Sequence, residues 1–305
     1  MKTQINIGNL KLNNPVMVAS GTFGYAKEFS PYVNLGKLGA IITKTITLNP
    51  TQGNPPPRVV ETASGMLNAI GLQNEGIDKF IKEKIPFLKS AGVPIVVSIS
   101  GQTLPEYVRL SKILDKTKGV DAIELNISCP NVSDTRCLIY QDKQIIHKLV
   151  KQIKAITDKT VMAKLSPNVS DIVAIAQAAE DAGCDSVSLV NTFLAMSIDV
   201  ESRAPRLGNI TGGLSGPAIK PIALRIVWQV AQSIKIPIIG MGGIMNAVDA
   251  LEFLIAGASA VCVGTANLVD PSASIKIVEG LEDYLKKNKI QDINKLIGCL
   301  KVAQN

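Results

Sequence analysis

Ile123-Glu124-Leu125-Asn126-Ile127-Ser128-Cys129-Pro130-Asn131 alternates apolar and polar side chains with a period of two as far as Ser128, the pattern of a β-strand. Pro130 has no N–H to offer a neighbouring strand and holds Cys129 in extended backbone, so the strand stops there. It stops by presenting an amide, a hydroxyl and a thiol at one edge. One account is structural, with Cys129 filling a core gap and an Asn closing a turn. The other is chemical, with the three groups forming part of a site. The flanks show what kind of strand this is: Leu104–Lys116 before it and Lys143–Thr157 after it both carry helical periodicity.

Outward from there the alternation continues. Upstream, the helix pattern Ile77–Ser90 leads to the strand Pro94–Ile99. Downstream, Thr160–Leu165 is a strand, Ser170 caps a helix running to Ala182 with Gly183 as its stop, and Asp185–Val190 follows. The helix Ala218–Ile234 precedes the strand Pro237–Gly240. Asn246 opens a helix closed by Gly257, Ala260–Val263 is the last strand, and Ser272–Lys287 and a short terminal helix end the chain. At the start, Ile5–Leu12 reads as a hairpin around Gly8-Asn9. Pro15–Ala19 is a strand, a helical segment holds Phe29 and Leu35, and Ala40–Thr43 is a second strand. Thr47–Asn74 and Phe193–Ser215 are long stretches without clear period, a length that points to function inside a compact domain.

Eight apolar strands separated by helices imply a parallel sheet covered by helices on its outer side. In 305 residues they fit a (β/α)8 barrel best, an α/β fold, here with an N-terminal β-hairpin and long loops after strands 2 and 6. A doubly wound open sheet is the alternative; no G-x-G-x-x-G follows the first strand, which counts against a dinucleotide-binding version. No linker divides the chain, so residues 1–305 are expected to form a single domain.

Composition narrows the chemistry. No apolar run reaches the length of a membrane span, and Met1-Lys2-Thr3 leads straight into strand pattern. Five cysteines, an odd number without paired spacing, speak for a reducing compartment, and cytoplasm is the expectation. The net charge of +7 is diffuse, its densest cluster being Lys286-Lys287-Asn288-Lys289, and aromatic residues make up only 4%. That combination disfavours nucleic acid and suits a small anionic ligand or an acidic protein. The single histidine, His147, falls off the apolar face formed by Ile145, Ile146, Leu149, Val150 and Ile153. Histidine metal sites and Ser-His-Asp triads therefore lose their central residue.

In a barrel the site lies at the C-terminal ends of the strands. Those ends read Ser20-Gly21, Lys44-Thr45, Ser98 to Gly101, Asn126 to Cys129, Lys164 to Ser166, Val190-Asn191-Thr192, Gly242-Gly243 and Gly264-Thr265. Two lysines at inner strand ends would be costly without countercharge and point to an anionic ligand across the mouth. Glycines after strands seven and eight match the place where barrels often bind phosphate with bare backbone N–H groups.

Together these residues resemble class 1 dihydroorotate dehydrogenases along essentially the whole chain. The matches are A-S-G-T-F-G at 19–24, N-A-I-G-L-Q-N at 68–74, E-L-N-I-S-C-P-N at 124–131, K-L-S-P-N at 164–168 and G-M-G-G-I at 240–244. N-I-S-C-P-N beside N-A-I-G-L-Q-N is the specific pair, and its form is most similar to class 1B. The resemblance implies oxidation of dihydroorotate to orotate in pyrimidine biosynthesis, with FMN as cofactor and no metal. It implies FMN contacts from Ser20, Lys44, Thr45, Ser98, Asn126, Lys164, Val190, Gly216, Gly242, Gly243, Gly264 and Thr265. It implies substrate contacts from Lys44, Asn68, Ala69, Ile70, Gly71, Leu72, Asn126, Asn191 and Thr192, and Cys129 as the catalytic base. It further implies a homodimeric core and a partner subunit carrying FAD and a 2Fe-2S cluster, two of each chain, passing electrons to NAD. A fumarate-linked class 1A enzyme, a tRNA-modifying flavin barrel and a non-catalytic flavin-barrel scaffold are the alternatives.

Three departures stand out. Ser98 replaces a common Asn, Glu75 replaces a proline, and the lid Val132–Tyr140 lacks the glycines usual there. Cys137 on that lid is a rival thiol.

Overall fold

The computed structural model describes residues 1–127 and 141–302. In chain order its strands are β1 (Ile5–Ile7), β2 (Leu10–Leu12), β3 (Val16–Val18), β4 (Ala40–Ile42), β5 (Val59–Thr62), β6 (Gly65–Asn68), β7 (Ile95–Ile99) and β8 (Ala122–Asn126). They continue with β9 (Thr160–Lys164), β10 (Ser186–Leu189), β11 (Phe193–Met196), β12 (Ile198–Asp199), β13 (Ala204–Pro205), β14 (Thr211–Ser215), β15 (Ile238–Met241) and β16 (Ala260–Val263). The helices are α1 (Ile77–Lys79), α2 (Ile85–Lys89), α3 (Leu104–Asp115), α4 (Lys143–Lys154), α5 (Ile172–Asp181), α6 (Lys220–Ala231), α7 (Ala247–Ala256), α8 (Ala266–Val269) and α9 (Ala273–Lys287).

Eight strands close into a parallel barrel in the order β3-β4-β7-β8-β9-β10-β15-β16. This is the (β/α)8 barrel expected from the alternation. Every residue of β7, β8 and β9 is buried, because one face meets the barrel lumen and the other meets helices. The covering helices follow their apolar stripes. On α4, Ile146, Leu149, Val150 and Ile153 are fully withdrawn from water, each contributing up to about 1.5–3 kcal/mol. The hairpin β1–β2 forms as read, with Ile7 opposite Leu10.

The two stretches without clear period are not loops throughout. Strands β5, β6, β14 and β11 form one antiparallel sheet, and β12–β13 a small ribbon. Their strands are short, and β14 contains Gly212 and Gly213, so neither period stood out. A second small core of Val60, Leu67, Ala69 and Leu207 lies with this sheet.

Other expectations are corrected. The segment holding Phe29 and Leu35 is not a helix: Ala26 is left-handed at φ 65°, Phe23 stacks on Phe29 at 4.1 Å, and only a 3-10 turn, Leu35–Lys37, is regular. Between α1 and α2 the chain widens into a π-turn, Phe80–Lys84, next to Pro86, which has no N–H for an α-helical bond. The α5 cap is Asp171, whose carboxylate accepts from Ala174 N, rather than Ser170. The terminal helix is a 3-10 turn, Ile293–Leu296. Asn246 and Gly257 do bound α7, with a full capping box between Asn246 and Asp249.

Candidate active site

The barrel mouth collects polar groups that the strands carry to their ends. Thr45, after β4, shares a 3.0 Å hydrogen bond with Ser98 Oγ of β7 and accepts from Asn126 Nδ2 of β8 at 3.1 Å. All three are buried. The carbonyl of Asn126 accepts from the Tyr107 hydroxyl of α3 at 2.8 Å, which pins the end of β8 to the helix before it. Beside them, Lys164 ends β9 with only 6% of its surface exposed and donates to Ser20 Oγ at 3.3 Å. A buried ammonium held by a neutral hydroxyl is poised to meet negative charge. Lys44 is half-buried, and burial lowers its pKa from the ordinary lysine value; Glu28 opposes that shift and Arg58 adds to it.

The insertion sheet supplies a rim. Asn68 ends β6 and donates from Nδ2 to Gly213 O at 3.3 Å. Ala69 N donates to Arg58 O and its carbonyl accepts from Asn54 Nδ2 at 3.1 Å; Ile70 O accepts from Asn54 N. Gly71, at φ 72°, packs so closely that a Cβ there would lie 2.7 Å from Asn54 N. Leu72 is also left-handed, and its carbonyl accepts from Asn74 Nδ2. Arg58 braces this segment, donating to the carbonyls of Asn54 and Gln52 and to Gln73 Oε1. Across the rim, Asn191 Oδ1 accepts from Thr192 N, and Thr192 packs on Gly213. Asn168 ties this side down by donating to Thr192 O and accepting from Leu194 N.

The third side is backbone. Gly216, Gly242 and Gly243 have φ of 93°, 123° and 74°. A Cβ on Gly243 would lie 2.8 Å from Lys220 N and 2.9 Å from Gly216 O, so the β15 end sits directly on the segment entering α6. Thr265, after β16, donates to Ser215 Oγ at 2.9 Å. Gly264 has room for a methyl by contrast, the nearest neighbours to a Cβ being Ala19 and Thr22 in ordinary contact at 3.6 and 3.8 Å.

The structure thus joins Thr45, Ser98 and Asn126 in one hydrogen-bonded group, Ser20 and Lys164 in a second, and Ser215 and Thr265 in a third, with Gly216 and Gly243 in close backbone approach beside the last. Val190 is buried and its N–H is taken by Met241 O, so a ligand would meet its side chain or carbonyl. Cys129, the rival Cys137 and the lid Val132–Tyr140 lie outside the described residues. Glu75 forms ion pairs with Lys79 at 2.6 Å and Lys84 at 3.1 Å, a surface role. Sequence reading missed Tyr107, Arg58 and Asn168, whose work depends on neighbours distant in the chain. K-L-S-P-N at 164–168 contained Asn168, but nothing local marks it as a brace.

The donor set fits an isoalloxazine phosphate cofactor: buried cation and amide groups at the floor, and glycine backbone with φ no side chain favours at the β15 end and at Gly216 before α6. Among the described residues no group of three His, Cys, Asp or Glu side chains could hold a metal ion, and no helix is long and apolar enough to cross a membrane.

Residues 2–285 match the family model for dihydroorotate dehydrogenase. The chain is 56% identical over 298 residues to a Geotalea daltonii protein named dihydroorotate dehydrogenase B (NAD(+)), catalytic subunit, covering 98% of both. Proteins of the same name from Geotalea uraniireducens and Thermoanaerobacter pseudethanolicus are 55% and 52% identical, with 97% and 99% of this chain covered and 97% and 100% of theirs. The chain belongs to the dihydroorotate dehydrogenase family.

Proposed function

We propose that this chain is the catalytic subunit of an NAD-linked dihydroorotate dehydrogenase, oxidising dihydroorotate to orotate in pyrimidine biosynthesis. The observation that carries the reading is the buried Thr45–Ser98–Asn126 group beside Lys164, under a rim that ends in Asn68. FMN held by these residues would supply the two-electron acceptor for the hydride at C6 of dihydroorotate. The protein supplies the rest. Asn68, Asn126 and Asn191 offer matched donors and acceptors to the amide edges of the pyrimidine, with Thr192, Lys44 and the backbone of Ala69, Ile70, Gly71 and Leu72 completing its pocket. Cys129 would serve as the base that removes the C5 proton.

Ser20, Lys44, Thr45, Ser98, Asn126, Lys164 and Val190 hold the flavin ring. Gly216, Gly242, Gly243, Gly264 and Thr265 hold the phosphate. Lys164 meets the negative charge that reduction brings. Electrons leave through a partner subunit with FAD and a 2Fe-2S cluster to NAD, in an assembly of two of each chain built on a homodimer. The relatives' shared name supports the partner and the acceptor. The odd number of cysteines, five without paired spacing, supports a cytoplasmic setting.

The purified chain should carry flavin absorbance that dihydroorotate bleaches without oxygen. Cys129→Ala should bind FMN and orotate normally yet bleach about 10²–10⁴-fold more slowly. Normal bleaching in that variant would assign the base elsewhere.

A further inference from the structure

Glu124 lies on β8 in register with Ser98 of β7 and Met162 of β9. It is fully buried, and among the described residues neither carboxylate oxygen meets a hydrogen-bond donor. Such a group is normally eliminated from a protein interior unless a countercharge accompanies it. Side chains two apart on a strand share a face, so Glu124 points inward with Asn126, whose register partner on β9 is Lys164. Carboxylate and ammonium therefore stand one pleat apart on adjoining strands, both inside the lumen. Cys262, on the opposite wall, senses both: burial chiefly raises its thiol pKa, Glu124 raises it further and Lys164 lowers it. The neighbouring lumen residues on β10 are Ser186 and Ser188, in register with Met162 and Lys164, and their hydroxyls likewise lack partners.

We propose that Glu124 is the built-in countercharge of Lys164, a positioning residue that tempers the positive field Lys164 projects onto the flavin. The inference rests on the FMN reading above. Its chemical logic follows from a relay: a cofactor that must hand its electrons onward cannot hold them too tightly. A lone buried ammonium would favour the reduced flavin strongly, and a carboxylate behind it moderates that preference.

The test uses sulfite, which adds to oxidised flavin more tightly as the positive field around the ring grows. Glu124→Gln removes the charge and keeps the shape. In the FMN-loaded protein it should lower the sulfite Kd about tenfold or more, the effect of leaving the Lys164 charge uncompensated at the effective dielectric of a protein interior. In a Lys164→Met background the same change should shift the Kd less than about threefold, as expected for groups that act through one another. An unchanged Kd in Glu124→Gln overturns the proposal, and equal shifts in both backgrounds overturn the route through Lys164.

A second measurement needs no flavin. Lys164→Met should lower the apoprotein melting temperature by about 10 °C, and adding Glu124→Gln should recover at least half of that loss. A double variant no more stable than Lys164→Met overturns the pairing. A wild-type chain that takes up no FMN refutes the cofactor reading alone, and the apoprotein series then decides the pair.

Discussion

Gly243→Ala tests the phosphate cradle against the backbone that builds it. At φ 74° a methyl group costs about 1–2 kcal/mol relative to glycine. The methyl would also lie 2.8 Å from Lys220 N and 2.9 Å from Gly216 O. Both are main-chain atoms, so relief requires moving the turn into α6, an overpacking cost of about 1–3 kcal/mol. The sum is a stability loss of about 2–5 kcal/mol, measured by urea denaturation of the apoprotein. Displacing the turn should forfeit at least one charge-assisted hydrogen bond to phosphate, about 1.5–3 kcal/mol, which weakens FMN binding about 10- to 150-fold.

Gly264→Ala is the contrast. Its methyl meets Ala19 and Thr22 only at 3.6 and 3.8 Å, so stability should stay within about 0.5 kcal/mol. FMN affinity should still fall, because Gly264 belongs to the proposed phosphate cradle, where added bulk competes with the ligand. Wild-type FMN affinity in Gly243→Ala, titrated by flavin fluorescence, would remove the β15 end from the cofactor site. Equal destabilisation by the two substitutions would refute the packing derived for them.

Three further outcomes are expected. Thr45→Val should cost about 1–3 kcal/mol in chemical denaturation, since Ser98 and Asn126 both lose a buried partner. Asn168→Ala removes the donor to Thr192 O and the acceptor for Leu194 N; it should cost about 2–3 kcal/mol and speed proteolysis within 193–215. Lys220 has its pKa raised by Asp249 and then by Glu252. Its contribution to stability is therefore complete below the unfolded lysine pKa of about 10.4 and is lost as pH rises through the higher folded value. The melting-temperature gap between wild type and Lys220→Met should stay level from pH 7 to 9 and close above about pH 10.5, read by differential scanning fluorimetry.

The barrel was legible because strands such as Ile95–Ile99 and Ala260–Val263 are almost continuously apolar and sit between helical patterns. Asn246 and Gly257 were legible for a local reason as well: a cap is a property of a few adjacent residues. Lys164 could be read as unusual from its strand-end position alone. The insertion sheet could not be read, because the pairing of Asn68 with Gly213 depends on register between segments far apart, and glycines carry no hydrophobic period. Nothing local marks Tyr107 on α3; only the fold brings its hydroxyl to the Asn126 carbonyl. Glu124 matched the polar phase of an alternating strand, which is what a solvent-facing residue would also do. That β8 has no solvent face is a property of the closed barrel.

The sheet joining β6 to β14 also sets a timetable for synthesis. Asn68 and its partner Gly213 are 145 residues apart. At the usual pace of translation, about 5–20 residues per second, the β5–β6 hairpin waits roughly 7–30 s for the strand that covers its edge. During that interval the exposed edge is a ready template for another chain. Val59, with its side chain still half exposed in the finished fold, lies on that hairpin. Slow synthesis or crowding of nascent chains should therefore harm the yield of this protein through its substrate rim as well as through β3, which waits longer still for β16, and a chaperone that binds residues 59–68 would protect the rim until β14 arrives.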